Sequence, residues 1–288
     1  MSGLHETDAD EPVGVSRLDG GGDRVVVGDL GGVGGAIGGE TPDAPQRPEE
    51  RFLAGRVIAR QPATGYRAAL DTVLLGAAVG LRPGEAGLEL GCGSGAALLI
   101  AAERSPGAAF TGLERAPDLA ALAAANAAAN SSADRVRILE GDVFAPPPDW
   151  RGRFDHVFFN PPYFDDAGAV RPPKDPGRRA AFVNDVGDAG DWLRAALGLT
   201  RSRGHVTVIH RADRLGALLA ALENAAGEVR VRAVHPRSDA PARRVVVRAR
   251  KGVRSPLSVL PPLILHGPDG ALNPAAAAIL SGEDRFTL

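Results

Sequence analysis

The segment LELGCGSG, Leu88 to Gly95, constrains this chain more than any other part of it. Glu89, Gly91, Gly93 and Gly95 fall at alternate positions. An apolar run, AGLELG, leads in, and a helical pattern, GAALLIAAERS, leads out. The glycines let the backbone turn tightly and leave bare main chain against which a ligand can lie. A strand, a glycine turn and a helix in that order open a parallel α/β sheet. Ligands of such sheets sit beyond the carboxyl ends of the strands, near the point where strand order reverses.

The rest of the chain repeats the alternation. Strands are predicted at 86–91, 108–114, 136–142, 154–160 and 204–210, and helices at 65–81, 95–105, 117–130, 188–200 and 212–225. Two late strands, 228–236 and 244–252, are expected to pair as a hairpin. The expected fold is therefore a doubly wound α/β domain over 51–288. Residues 1–50 are rich in Gly, Asp, Glu and Pro and read as a disordered tail, in which VVV at 25–27 is a short strand at most. GGVGGAIGG in that tail lacks nucleotide-loop spacing and opens no amphipathic helix.

Three acids mark three successive strand ends. Glu89 precedes the glycines, where a pyrophosphate would be repelled and an ammonium or sulfonium group attracted. Glu114 ends the next strand, 23 positions after Gly91, the place for a carboxylate that accepts ribose hydroxyls. Asp142 ends the third, in reach of an adenine amino group. Singly, each acid is as well explained as a helix cap or a solvated side chain. Together with the glycines they point to S-adenosylmethionine rather than a nicotinamide cofactor.

The fourth strand runs into FFNPPYF, Phe158 to Phe164. Asn160 offers a side-chain oxygen and Pro161 a carbonyl, while Pro161 and Pro162 carry no competing N–H and stiffen the turn. Two acceptors side by side suit an exocyclic NH2, whose two hydrogens they hold as the nitrogen pyramidalises. Tyr163 is placed to stack on a planar base, with Phe159 or Phe164 lining the pocket. The plainer reading is a proline-rich turn with core aromatics.

LELGCGSG followed by FNPPY resembles the class I N6-adenine and N5-glutamine methyltransferases. QPATGYRAALDTVLLGAAV, GHVTVIHRADRLGALLAAL, RRVVVRARKG and LILHGPDGALNPAAAAIL narrow the resemblance to the bacterial tRNA(Val) adenine N6-methyltransferases, over about 51–288. Those enzymes modify the adenine beside the anticodon. The resemblance implies a Rossmann-like, mostly parallel seven-stranded sheet with an antiparallel late strand. It implies that Glu89, Gly91, Gly93, Gly95, Glu114 and Asp142 hold the cofactor and that Asn160, Pro161, Pro162 and Tyr163 hold the target base. It puts Asp71 in the block packed over the cofactor; otherwise Asp71 is a helix residue satisfied locally. Lys174, Arg178 and Arg179 follow the turn, where they touch nucleic acid or are simply solvated. The Gly-rich acidic head departs from the family pattern.

Charge and composition bear on the partner. Residues 1–50 carry eleven acids and three bases, whereas 201–254 carry thirteen Lys or Arg and four acids. A polyanion meeting the second half fits that split, as does an ordinary solvated Arg-rich surface. At strand period the arginines between Arg230 and Arg254 share one face. The expected partner is an RNA, tRNA first, with a protein glutamine as the alternative substrate. Glutamine enzymes place a helical domain before the glycine loop, and here only the head and one helix precede it. A non-catalytic RNA-binding module is the third reading. Cys92 is the single cysteine, so no internal disulfide forms, and it reads as a small filler in the glycine loop. The six histidines show no metal spacing, and His210 reads as a surface or capping residue. No signal sequence and no apolar run approaching the roughly 20 residues of a membrane span is present; a cytoplasmic enzyme without metal is expected.

Overall fold

The computed structural model describes residues 24–26, 49–62, 70–162 and 187–288. Five parallel strands form the middle of a sheet: β4 (Ala86–Leu90), β5 (Ala109–Glu114), β6 (Val136–Glu140), β7 (Phe154–Phe159) and β8 (Thr200–Arg211). The full order is β1-β6-β5-β4-β7-β8-β10-β9-β11, with β9 (Ala226–His235), β10 (Arg244–Lys251) and β11 (Ser258–Ile264) at one side and β1 (Arg24–Val26) at the other. β10 runs antiparallel to both β8 and β9, as the expected hairpin. Seven strands, β4 to β10, thus make the expected mostly parallel sheet with one antiparallel late strand. β1 and β11 extend it at the edges, antiparallel to β6 and parallel to β9. The order reverses between β4 and β7, which pair directly.

The crossovers cover both faces because the strands are apolar on both sides. Four of the five residues of β4 are buried, as are five of the six of β7. On one face Phe110 and Phe158 meet edge to face, 6.4 Å apart, under α1 (Leu70–Ala78), α2 (Ala96–Arg104) and α3 (Pro117–Ala128). Burying each such ring contributes about 2–3 kcal/mol. On the other face Leu88, Phe159 and Val208 pack under Trp192 and the rest of α4 (Ala189–Leu199) and under α5 (Leu215–Leu222). Helix starts follow local chemistry. Asp188 and Asp191 form a reciprocal capping box on α4. Pro117 opens α3, and Asn273 with Pro274 opens α6 (Pro274–Ser281), which Gly282 closes at φ 81°.

Some boundaries shift. α1 ends at Ala78 rather than 81, and the expected helical residues 65–69 lie outside the described ones. β8 runs from Thr200 to Arg211, well beyond the seven residues expected. Consequently His210 is not a surface residue: it is 5% exposed inside the strand, and its Nδ1 accepts the Arg211 N–H at 2.7 Å. The hairpin of β2 (Glu49–Phe52) and β3 (Val57–Arg60) was not expected, nor were β11 and α6. Of the acidic head, residues 24–26 and 49–50 are described. No helix among the described residues is long and apolar enough to cross a membrane.

Candidate active site

The glycine loop and the Asn-Pro turn leave the sheet side by side. Leu90, the last residue of β4, is in register with Phe159, the last of β7. Gly91 and Asn160 therefore begin two adjacent loops, roughly 5 Å apart at strand spacing, at the point where strand order reverses. The sequence motifs are 65 or more positions apart in the chain; the β4–β7 pairing joins them.

Within the loop, Gly91 has φ 64°, and a Cβ built on it would lie 2.7 Å from the Trp192 ring. Gly93, at φ 56°, faces open space. The Gly93 N–H donates to the Glu114 carboxylate at 2.8 Å, and the Ala116 N–H donates to its other oxygen at 2.9 Å. Glu114 so ties the glycine loop to the end of β5 and fixes its own position. Gly95 caps α2 at φ 81°. Glu89 is 4% exposed. Burial, partly offset by the Leu98 N–H and reinforced by the nearby Glu114 charge, pushes its carboxyl well above the usual range. Among the described residues its Oε2 has no hydrogen-bond partner. Asp142 lies two residues past β6, and its Oδ1 accepts the Phe144 N–H at 2.8 Å. The Gly141 N–H donates to the Glu114 carbonyl, which brings Asp142 beside the same loop.

The structure thus brings Glu89, Gly91, Gly93, Gly95, Glu114, Asp142, Asn160, Pro161 and Pro162 to one end of the sheet. Asp71 reaches beyond its own helix: its Oδ2 accepts from Arg244 Nε at 2.7 Å. Tyr163 lies outside the described residues, as do Phe164, Lys174, Arg178 and Arg179. Cys92 packs as a filler, its Sγ placed where a Cβ on Gly112 would clash at 2.8 Å. Burial and the charges of Glu89 and Glu114 push the Cys92 thiol up, so it stays protonated.

Several supporting residues were not singled out in the sequence. Trp192 packs on Gly91 and between Phe144 and Phe159, with ring centroids at 6.2 and 5.9 Å. Ser94 donates to Gln61 at 3.1 Å, so the end of β3 rests on the glycine loop. Asn126 holds that end: its Oδ1 accepts the Arg60 N–H, and its Nδ2 donates to the carbonyls of Arg60 and Ser94. Asn130 repeats the clasp on Ile58. Two asparagines four apart at the end of an alanine-rich helix were the legible signal.

The arginines of the late strands share a face, as their spacing requires, and are spread along the strands. Arg248 and Arg250 are in register with Thr207 and His205 in the middle of β8, and Arg232 is in register with Val246. Glu228 accepts from Arg230 at 3.1 Å and from Arg250 at 2.9 Å. Arg230 also donates to the Leu288 carbonyl and Arg232 to those of Pro261 and Thr287. This set clamps the C-terminal segment. A separate groove of about 820 Å³ runs along α4 from Phe144 and Gly187 to Arg151 and Gly198. Its lining contains neither the glycine loop nor Asn160.

A family model described as a methyltransferase domain matches residues 81–238. The chain belongs to that family. It is 40% identical over 102 residues to a protein of Yersinia enterocolitica named tRNA1(Val) (adenine(37)-N6)-methyltransferase, covering 35% of this chain and 41% of that protein. A Porphyromonas gingivalis protein of the same name is 36% identical over 124 residues, covering 41% of this chain and 49% of the relative. The chain thus spans less than half the length of these curated relatives. Among solved structures, a predicted O-methyltransferase from Agrobacterium tumefaciens matches with TM-score 0.63 and 27% identity, covering 76% of this chain and 99% of that one.

Proposed function

We propose that this methyltransferase transfers a methyl group from S-adenosylmethionine to the exocyclic N6 of an adenine in RNA, with tRNA the first candidate. The observation that carries the reading is the pairing of β4 with β7, which sets the glycine loop beside Asn160 and Pro161. The cofactor supplies a methyl group activated by a sulfonium sulfur. The residues present suit it: Gly93 leaves open space against bare backbone, and Glu89 keeps a buried carboxylate oxygen without a partner among the described residues. Glu89 answers a cationic group, Glu114 a pair of ribose hydroxyls and Asp142 an adenine amino group, with Gly91, Gly93 and Gly95 giving close approach. Asp71, fixed by Arg244, supports that side from α1.

On the substrate side, the Asn160 side-chain oxygen and the Pro161 carbonyl accept the two N–H groups of the amine. Holding both hydrogens turns the nitrogen lone pair toward the cofactor loop and out of conjugation with the ring. Pro161 is buried and neither proline has an N–H to compete. Tyr163 stacks on the base, and the buried Phe159 backs the turn. The methylated nitrogen is acidic enough to release its proton to water, so rate comes from positioning rather than from a tuned base. A hydroxyl acceptor has one hydrogen and would use only half of this pair of acceptors, which favours an NH2 over an oxygen target. The relatives named for adenine N6 methylation support the same choice.

Replacing Asn160 by Ala tests the reading. Calorimetry should find cofactor affinity retained while methyl transfer to tRNA falls by at least about a hundredfold, the scale of one lost transition-state acceptor. Transfer at the wild-type rate would remove Asn160 from the chemistry.

A further inference from the structure

Adjoining Asn160, the tips of β8 and β10 and the loop from β9 into β10 carry a second set of arginines. Residues 211–214 and 237–244 hold five arginines and two aspartates. All lie at the end of the sheet from which Asn160 leaves. β8 is parallel to β7 and ends at Arg211, and the antiparallel β10 begins at Arg244, in register with Arg211. Phe159 is in register with Val208, so β8 overhangs β7 by three residues, and rise and strand spacing together put these tips roughly 11 and 14 Å from the tip of β7, a scale of about two nucleotides.

The set is anchored from below. Arg244 is fixed by Asp71 at 2.7 Å. The backbone of Arg243 is bonded on both sides, its N–H to the Val234 carbonyl and its carbonyl to the Ala212 N–H. Its side chain is exposed and has no hydrogen bond or ion pair with a described residue. Arg214 and Arg237 are exposed as well. Arg211 and Arg237 each face an exposed aspartate two positions on, Asp213 and Asp239. The Arg237–Asp239 pair is exposed on both sides and worth about 0–1 kcal/mol, so a phosphate displaces it at little cost.

Across the same end of the sheet the sign reverses. The tips of β5 and β6 and the start of α4 present Glu114, Asp118, Asp142, Asp188 and Asp191. One half suits a cationic cofactor; the other suits an anionic chain.

Resting on the RNA reading above, we propose that Arg211, Arg214, Arg237 and Arg243 form a phosphate-binding rim that grips the RNA backbone flanking the adenine held at Asn160. Arg230, Arg232 and Arg250, already bonded to Glu228 and to carbonyls of the C-terminal segment, take no part.

The test is tRNA binding by fluorescence anisotropy across a salt series, run on the wild type, on the Arg214→Ala/Arg243→Ala double variant and on Arg82→Ala. Arg82 is an exposed arginine at the opposite end of the sheet and serves as control. Methyl transfer to the same tRNA is measured in parallel. The double variant should bind roughly tenfold more weakly at physiological salt, with the slope of log affinity against log salt reduced by about 1.5–2. Arg82→Ala should match the wild type. Equal affinity and slope for the double variant and the wild type overturns the rim. If the wild type binds tRNA but leaves no label in it, the N6-adenine reading fails, while the binding series still decides the rim.

Discussion

Replacing Gly91 by alanine should destabilise the fold by more than its backbone angle alone explains. At φ 64° an alanine costs about 1–2 kcal/mol. Its Cβ would then lie 2.7 Å from Trp192 Cη2 and 3.1 Å from Cζ3. The indole has little room to retreat, being 7% exposed and packed between Phe144 and Phe159. Overpacking of that kind adds about 1–3 kcal/mol, for a total of roughly 2–5 kcal/mol. Gly93→Ala is the internal control: its φ is similar at 56°, but nothing lies within 4 Å of the added carbon. It should cost only about 1–2 kcal/mol. Trp192→Leu removes the clashing ring edge, so Gly91→Ala made in that background should also cost only about 1–2 kcal/mol, a coupling of about 1–3 kcal/mol. Urea unfolding followed by circular dichroism measures all four variants. Equal losses for Gly91→Ala and Gly93→Ala, or a Gly91→Ala cost unchanged by Trp192→Leu, refutes the argument that the indole sets the shape of the loop.

Other perturbations follow from the same geometry. Asn126→Ala should cost about 2–4 kcal/mol, since it strands the Arg60 N–H and two carbonyls, and should weaken cofactor binding by releasing Gln61 from Ser94; thermal melts and calorimetry report both. Glu89→Gln should stabilise the ligand-free protein more at pH 8 than at pH 5. The buried carboxyl is raised above its ordinary value, so stability present at low pH is lost as pH climbs and the group ionises. The same variant should bind S-adenosylmethionine poorly. His210 and His205 are both held down to about 4, by burial first and then by Arg214 and Arg248 respectively. Depressed histidines favour the folded state above their ordinary 6.5, so stability should fall as pH drops from there toward 4; His210→Gln, assayed by urea unfolding at pH 7 and 4.5, should flatten part of that fall. An unchanged pH slope in that variant would remove His210 from the account.

The centre of the fold was legible because its signals are local. Period and glycine spacing identify β4 to β8, and an acid at a strand end is visible in one dimension. What the residues could not tell was bonding and length. Period two puts Arg230, Arg232, Arg248 and Arg250 on one face, yet says nothing of what they bond; Glu228 takes Arg230 and Arg250, and carbonyls of the C-terminal segment take Arg230 and Arg232. His210 looked terminal because GHVTVIH was read as the whole strand, whereas β8 continues through Arg211. β11 was hidden by Pro261 and Pro262, which an edge strand tolerates and a central one does not. The Asn126 clasp joins residues 66 apart, a relation that only the folded chain supplies. Asp71 stood out through resemblance, and its ion pair with Arg244 spans 173 positions.

The central claim is that this site places a methyl group on N6 of an RNA adenine. Its most direct test is labelled methyl transfer from S-adenosylmethionine into tRNA from a strain lacking the protein, followed by nucleoside analysis. The account predicts label in N6-methyladenosine, absent with Asn160→Ala. Label confined to a protein glutamine, with none in RNA, would contradict it.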